Sequence, residues 1–243
     1  MTTPSGRALL DAVAVMDRLR SPGGCPWDRE QTHESLLRYL VEEAYETVDA
    51  VAALTAASTS DDPAARADAE HELAEELGDV LLQVLFHARV AQERGAFDVD
   101  DVARLLVAKL VRRHPHVFAD EEQATGDGVQ ARWDELKAAE KPARGPVDGI
   151  PRHLPALART DKLLARLERA GLDPDALVVP EPAAGTAARD ADAEVGRVLF
   201  EVVRSARTAG VDPEAALRAH TDRVERAARA VHSSASASDA PDT

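Results

Sequence analysis

The chain has 243 residues, 44% of them hydrophobic, which is enough for one large or two small domains with a buried core. Its 44 acidic and 29 basic side chains give a net charge of −15, which excludes proteins that hold nucleic acid or anionic lipid through a basic surface. No apolar run reaches the roughly 18 residues of a membrane span, and the first residues lack the pattern of a secretory signal. The single cysteine, Cys25, cannot form an internal disulfide, so we expect a cytoplasmic protein.

The predicted fold class is all-α. Aromatic residues make up only 3% of the chain, so the core must consist mainly of aliphatic side chains. No segment shows the alternation of apolar and polar residues that is typical of a strand. Apolar spacing and helix-stop signals predict helices, in chain order, over residues 6–20, 35–54, 70–94, 99–113, 129–140, 153–170, 193–209 and 213–230.

The segments between these helices are predicted to be irregular. Residues 25–34 are expected to form a loop that leads into the second helix. Residues 55–68 are small, polar and interrupted by proline, which predicts a solvated loop. Asp98 is expected to cap the helix that follows it. Residues 173–191 have the composition of a linker, and residues 232–243 are expected to form a disordered tail.

A short internal repeat relates the two halves of the chain. The segment from Glu76 to Leu81 aligns without a gap with the segment from Glu194 to Leu199. At the position of Asp79, the second copy carries Arg197. We interpret the second half as a degenerate copy of the first, although Ala-rich helices also produce such matches by chance.

Two pairs of carboxylates are the strongest chemical signal in the sequence. Glu43 and Glu46 are three residues apart, as are Glu76 and Asp79, so each pair lies on one face of its helix. Antiparallel packing of the two helices would bring all four carboxylates together beside apolar residues. Such a cluster of like charges costs several kcal/mol unless it is neutralised. A divalent cation would neutralise it, and an all-oxygen ligand set favours Mg²⁺ or Mn²⁺ over zinc.

Two other interpretations of these carboxylates remain open. Acidic residues on an amphipathic helix often form no more than a solvated face. A di-iron carboxylate bundle is a second alternative, but it requires Glu-x-x-His pairs on its helices. Neither acidic pair contains a histidine, and the one such spacing nearby, Glu30 to His33, lies in a predicted loop.

The order of motifs closely resembles the MazG family of nucleoside triphosphate pyrophosphohydrolases. The resemblance runs from about Leu9 to Lys141 through the segments CPWDREQTHESL, LVEEAYETVDA, EELGDVLLQVLFHARVAQERGAFDVDDV, KLVRRHPHVFAD and W-x-x-L-K. It implies a four-helix-bundle MazG-type catalytic domain over residues 1–141. The segment GIPRHLPALARTDKLLARL is similar to the bridge into the second domain of longer members, which implies a degenerate MazG-like helical region over residues 142–231.

The resemblance also implies which residues take part in catalysis. It assigns the Mg²⁺ ligands and, within the same motif, a further carboxylate that would hold a water molecule or a ligand. The implied metal ligands are Glu43, Glu46, Glu76 and Asp79, and the further carboxylate is Glu42. The interval between the two acidic pairs is longer than is usual in the family, and we expect the extra residues to form a surface excursion.

Substrate-binding residues are expected further along the chain. Lys109, Arg112 and Arg113 form one cationic edge of a helix, and their place in the K-L-x-R-R-H-P-H segment favours phosphate binding over simple pairing with the helix dipole. The resemblance implies that Trp133 and Lys137 bind nucleotide, whereas the alternative for Trp133 is to anchor its helix to the core. An indole stacks on any base, which predicts broad base specificity.

The predicted reaction is Mg²⁺-dependent hydrolysis of the α–β phosphoanhydride of a nucleoside triphosphate, and the resemblance implies a homodimer. Trp27 is interpreted as structural. One alternative is a narrow-specificity enzyme of the same all-α group, acting on dUTP, dCTP or phosphoribosyl-ATP. Others are a non-catalytic helical regulator that senses nucleotide and a plain helical scaffold.

Overall fold

The computed structural model describes residues 6–118, 145–178 and 187–238. Every regular element in these ranges is helical, which confirms the all-α prediction. The chain divides into two compact units, Met1–Leu136 and Lys137–Thr243. None of the described helices combines the length and the hydropathy needed to cross a membrane.

Unit 1 is built around two long antiparallel helices, α3 and α4. Its described helices are α1 (Arg7–Arg20), α2 (Pro26–Glu30), α3 (His33–Ala57), α4 (Pro63–Glu93), α5 (Val99–Arg113) and α6 (Pro115–Phe118). Helix α1 packs against α2 and α4, and α5 packs against α4. The stacked rings of His33 and His87, with their Nδ1 atoms 2.8 Å apart, join the start of α3 to the end of α4.

Local side-chain chemistry determines where these helices begin. Thr32 and Ser35 form a capping box at the start of α3, with each side chain bonded to the other's backbone nitrogen. Asp98 and Asp101 do the same for α5, which confirms the predicted cap. At α4, Asp62 accepts hydrogen bonds from two backbone nitrogens of the first turn, and the proline that follows occupies the first helical position.

The core of unit 1 joins α1, α3 and α4. Its buried side chains are Met16, Leu36, Leu85, Phe86 and Val90. Each such residue contributes roughly 1.5–3 kcal/mol through burial. This core holds α3 and α4 in register over the turns that precede and follow their acidic residues.

A buried arginine ties the start of the chain to this core. Arg20 donates two hydrogen bonds to the carboxylate of Glu93, at 2.8 and 2.7 Å. It also donates to the backbone carbonyl of Asp28, within α2, and to that of Gln31, directly after α2. The short helix α2 is therefore attached to both α1 and α4.

Two predicted loops of unit 1 are largely helical. Within residues 25–34, Pro26 begins a short helix because proline suits the first helical position. Within residues 55–68, α3 continues to Ala57 and α4 begins at Pro63, because alanine favours helix and Asp62 caps α4. The extra residues between the acidic pairs therefore lengthen both helices. The irregular connection, which we expected to be a longer surface loop, is limited to residues 58–62.

The described part of unit 2 contains three longer helices and one short 3-10 turn. They are α7 (Ala156–Arg169), the turn Pro174–Ala176, α8 (Ala187–Thr208) and α9 (Pro213–Ser238). Helix α8 packs against α7 and α9, and α9 also packs against α7. Leu164, Leu167 and Val203 are buried between them.

The boundaries in unit 2 correct two predictions. Helix α8 begins at Ala187, inside the predicted linker 173–191. Helix α9 continues to Ser238, inside the tail 232–243 that was predicted to be disordered. Both extensions contain alanines, the strongest helix formers. The predicted helix 129–140 and the predicted boundary after residue 141 lie outside the described residues.

Candidate metal centre

Three of the predicted metal ligands come together between α3 and α4. Glu43 and Glu46 on α3 and Glu76 on α4 each offer a carboxylate oxygen, and these oxygens all lie within 4.8 Å of one another. Glu43 and Glu76 are half-buried, and Glu46 is exposed. The group is therefore a cluster at the edge of the helix interface that solvent and ligands can reach.

The helical repeat explains why these acidic side chains face the partner helix. Glu43 lies seven residues, about two turns, from both Leu36 and Ala50, and these two residues are buried. Glu76 lies seven residues before Gln83, which is also buried. Residues two turns apart share a helix face. The apolar face that joins α3 to α4 therefore includes a carboxylate on each helix.

The protein holds these carboxylates in an environment that disfavours their charge. Burial, a hydrogen bond with Glu46 and the charges of Asp79, Glu46 and Glu76 raise the pKa of Glu43. Burial and the charges of Glu46 and Asp79 raise the pKa of Glu76, and its helix neighbours Glu72 and Glu75 raise it further. Both shifts mean that burial and neighbouring negative charge disfavour the ionised carboxylates, and a bound cation would favour them.

Asp79 and Glu42 lie beside the cluster. Asp79 is exposed, one turn beyond Glu76, and its charge acts on both Glu43 and Glu76. Its oxygens are not part of the group of three. Glu42 is exposed and precedes Glu43 on α3. The roles of Asp79 as a metal ligand and of Glu42 in catalysis remain predictions.

The donor set fits a hard divalent cation. Oxygens bound to one Mg²⁺ at about 2.1 Å lie at most about 4.2 Å apart, so small side-chain rotations suffice to bring the 4.8 Å cluster to that spacing. Carboxylate oxygens without nitrogen or sulfur favour Mg²⁺ or Mn²⁺ over zinc. The group also lacks the histidine that a di-iron carboxylate site would require.

The predicted substrate-binding cations lie on a different helix. Lys109, Arg112 and Arg113 occupy the last turns of α5, where Lys109 and Arg112 are exposed and Arg113 is half-buried. The charged groups that raise the pKa of Glu43 and of Glu76 are neighbouring carboxylates of α3 and α4. Trp133 and Lys137 lie outside the described residues. The roles of all five in nucleotide binding remain predictions.

Trp27 has a position that the sequence did not indicate. Its ring contacts both Tyr39 on α3 and Phe86 on α4 in edge-on geometry, as a structural residue would. Nevertheless, 49% of this residue is exposed. The only sequence signal was its place in the CPWD segment, which does not reveal which helices the ring would touch.

Comparison with known proteins identifies the family. Residues 31–118 match the MazG nucleotide pyrophosphohydrolase domain. The chain is also 40% identical over 228 residues to the nucleoside triphosphate pyrophosphohydrolase/pyrophosphatase MazG of Thermotoga maritima, covering 89% of this chain and 82% of that protein. This chain belongs to the MazG family. The resemblance that the motifs indicated is thereby confirmed.

Other relatives support this membership in the MazG family. A nucleoside triphosphate pyrophosphohydrolase of Escherichia coli is 37% identical over 237 residues, covering 90% of this chain and 85% of that protein. One of Mycobacterium tuberculosis is 44% identical over 191 residues, covering 78% of this chain and 53% of that protein. The matched MazG domain contains both acidic pairs and the cationic end of α5, and it ends before Trp133 and Lys137.

Proposed function

We propose that this MazG-family chain hydrolyses nucleoside triphosphates at the α–β phosphoanhydride, releasing a nucleoside monophosphate and pyrophosphate. The observation that carries this proposal is the group of three carboxylates between α3 and α4. The names of the relatives support the reaction class, since several are nucleoside triphosphate pyrophosphohydrolases. The proposed metal is Mg²⁺, with Mn²⁺ as a substitute, because all three ligands are carboxylates.

The proposed roles of the acidic residues follow from their positions. Glu43, Glu46 and Glu76 would hold the cation, with Asp79 completing the ligand set from the next turn of α4. A bound divalent cation lowers the pKa of a water molecule and offsets negative charge on phosphates. Glu42 is exposed beside the cluster, and we assign it to orient the attacking water and accept its proton.

The proposed substrate contacts balance the charge of the triphosphate. A site built only from carboxylates repels an anion, so cationic side chains must contribute as well. We assign Lys109, Arg112 and Arg113 to the phosphates, because arginine binds phosphate with two hydrogen bonds and lysine supplies a compact charge. We assign Trp133 and Lys137 to the nucleotide.

We propose broad base specificity and a role in removing unwanted nucleotides in the cytoplasm. Aromatic stacking accepts every base, whereas narrow specificity requires hydrogen bonds to a base edge. A substrate profile restricted to one pyrimidine nucleotide would instead favour the narrow-specificity alternative.

We further propose that the active form is a homodimer. Helices α3 and α4 each carry a second apolar stripe that is exposed in the single chain, formed by Leu37, Val41, Val48, Leu77, Leu81 and Val84. Because α3 and α4 run antiparallel, these two stripes lie on the same side of the α3–α4 pair. A contiguous apolar surface of this kind is typical of a protein–protein interface, and a second copy would cover it.

The decisive experiment is ³¹P NMR of the purified protein with a mixture of nucleoside triphosphates, with and without Mg²⁺. We expect monophosphates and pyrophosphate to appear together, and only with the metal. Glu46→Ala should abolish this turnover while the protein stays helical, because it removes one ligand of the cluster. Glu34→Ala is the matched control, since Glu34 is exposed on the same helix and far from the cluster.

Each other outcome contradicts a definite part of the proposal. Orthophosphate with diphosphates would mean that a different bond is cut. Near-normal activity of Glu46→Ala would remove the cluster from the mechanism. No turnover of any nucleotide would favour the non-catalytic regulator.

A further inference from the structure

Trp27 presents an open ring surface held in place by two helices. Its ring centroid lies 6.0 Å from that of Tyr39 at an interplanar angle of 73°, and 6.5 Å from that of Phe86 at 84°. These edge-on contacts connect it to α3 and to α4. Because 49% of the residue remains exposed, part of its surface is open to a ligand.

The other two rings are already covered. The guanidinium of Arg38 lies over Tyr39, 4.4 Å from the ring centroid. Phe86 is buried, and the guanidinium of Arg20 lies over its ring at 5.4 Å. Within this aromatic cluster, defined as Trp27, Tyr39 and Phe86, the most accessible ring is therefore that of Trp27.

The aromatic cluster faces the same side of the α3–α4 pair as the acidic residues. Tyr39 precedes Glu46 by seven residues on α3, and Phe86 follows Asp79 by seven residues on α4. Residues seven apart on a helix share a face and lie about 10 Å apart along its axis. Trp27, which contacts both rings, therefore lies on the same side of the α3–α4 pair as the carboxylates, about two turns along it.

We propose that Trp27 is the platform on which the nucleobase of the substrate stacks. This inference rests on the proposed function, since it assumes that the triphosphate lies at the acidic cluster. The ribose would then run along the surface of the α3–α4 pair and bring the base to the indole. This assignment is separate from the contact with the nucleotide that we predict for Trp133. It makes Trp27 a substrate-binding residue that is remote from the bond that breaks.

The backbone around Trp27 is fixed before any ligand binds. Gln31 donates a hydrogen bond of 3.0 Å from its side-chain nitrogen to the carbonyl of Trp27. Arg20 donates to the carbonyl of Asp28, the next residue. A ring held in this way loses little freedom on binding, and this favours its use as a stacking surface.

The first test uses the fluorescence of Trp27. The chain has two tryptophans, so Trp133→Tyr leaves Trp27 as the single tryptophan and keeps an aromatic ring at position 133. We expect α,β-methylene-ATP with Mg²⁺ to quench this emission, and tripolyphosphate with Mg²⁺ to leave it unchanged because it has no base. An unchanged emission while equilibrium dialysis shows the analogue bound would overturn the proposal, as would equal quenching by both compounds.

The second test separates base binding from structural support. Trp27→Ala should raise the KM for ATP about tenfold and leave kcat within about twofold, because stacking far from the scissile bond contributes equally to ground and transition states. Trp27→Phe should stay within about threefold of the unmodified chain. The inhibition constant of tripolyphosphate should be the same in all three proteins.

A merely structural role for Trp27 would produce a different pattern. Loss of packing would lower kcat, or weaken tripolyphosphate in parallel with ATP, and either result would overturn the proposal. If Trp27→Ala does not fold, as judged by far-UV circular dichroism, the quenching test and Trp27→Phe decide the question. A change in Trp27 emission with protein concentration, and none with nucleotide, would mean that a second copy covers the ring and would also overturn it.

These outcomes are distinct from failure of the proposed function. A chain that releases no pyrophosphate but shows base-dependent quenching would refute the reaction and retain the binding surface. A chain that releases pyrophosphate with an unchanged KM in Trp27→Ala would retain the reaction and refute the platform.

Discussion

Helices α4 and α8 carry the same short pattern, from Glu76 to Leu81 and from Glu194 to Leu199, with opposite electrostatics. On α4, burial and neighbouring carboxylates raise the pKa of Glu76. On α8, Arg197 stands where α4 has Asp79, and its guanidinium lies 2.6 Å from the carboxylate of Glu194. This contact raises the pKa of Arg197, as expected for a cation that has gained a partner.

The two helices differ both in the residue that follows the glutamate by one turn and in what surrounds the pair. Glu194 and Arg197 are exposed and neutralise each other within one helix turn. Glu76 is half-buried against α3, where two more carboxylates meet it. The same helix geometry therefore produces a self-neutralised surface pair in unit 2 and a cluster of like charges in unit 1, where we propose that a cation binds.

The largest expected effect comes from exchanging these residues. Asp79→Arg should lower pyrophosphate release by at least about a thousandfold, because an arginine beside Glu76 would pair with it and displace the proposed cation. Arg197→Asp is the matched exchange in unit 2 and should leave turnover unchanged. Steady-state release of pyrophosphate with Mg²⁺ measures both.

Two results would contradict this comparison. Substantial activity of Asp79→Arg, with helical content retained, would mean that the acidic pair of α4 is not part of the site. A loss of activity in Arg197→Asp would mean that unit 2 contributes to catalysis.

The next effect contrasts a buried arginine with a half-buried one whose ion pairs solvent can reach. Arg20→Ala should destabilise unit 1 by about 3–5 kcal/mol, because it leaves the Glu93 carboxylate without its main partner and empties a buried site. Arg204→Ala in unit 2 removes ion pairs with Asp175 and Glu201 that solvent screens, and should cost much less stability than Arg20→Ala.

Both arginine variants are measured by denaturant unfolding. Tryptophan emission follows unit 1, which contains both tryptophans, and far-UV circular dichroism follows the helices of the whole chain. Equal losses of stability in the two variants would contradict the dependence on burial.

A smaller effect concerns pH and the histidine pair of unit 1. Burial and the neighbouring His33 lower the pKa of His87, so the folded chain holds this ring neutral more strongly than the unfolded chain does. Below the ordinary histidine pKa of about 6.5, the unfolded state therefore binds more protons at this residue than the folded state does. Stability from this residue is present above that pH and should fall as the pH drops from about 7 toward 5.

The variant His87→Phe tests the source of this pH dependence. It keeps a planar ring against His33 but removes the titrating group. Thermal unfolding monitored by tryptophan emission should show a flatter dependence on pH in the variant. An identical dependence in both proteins would assign the effect to another residue.

The smallest expected effect returns to the repeated pattern. Gly78 and Gly196 occupy equivalent positions on α4 and α8, and a Cβ at either would meet, among the described residues, no atom beyond its neighbouring helix backbone within 4 Å. Alanine should therefore stabilise each helix by about 0.5–1 kcal/mol. Thermal unfolding of the two single variants measures this, and a loss of stability in Gly78→Ala alone would indicate a partner that approaches α4 closely in the assembled protein.

Much of the fold followed from the sequence, because helix periodicity and capping are local. The boundaries of α5 match the prediction at both ends, since Asp98 caps the first turn and His114-Pro115 ends the last. The predicted loops at 25–34 and 55–68 were less accurate, because alanine-rich polar segments resemble both loops and solvent-exposed helix. At the site, the spacing of Glu43 and Glu46 indicated a shared face, but nothing local placed Trp27 against Tyr39 and Phe86.

The sequence alone determined the all-α class, the acidic pairs and the family, because each depends on residues within a few turns of one another. Only the tertiary structure decided which carboxylates meet and which helices the ring of Trp27 contacts. Antiparallel register brought Glu76 to Glu43 and Glu46 and left Asp79 at the edge. Such contacts depend on the side chains packed between distant segments, whose combined geometry no local pattern contains.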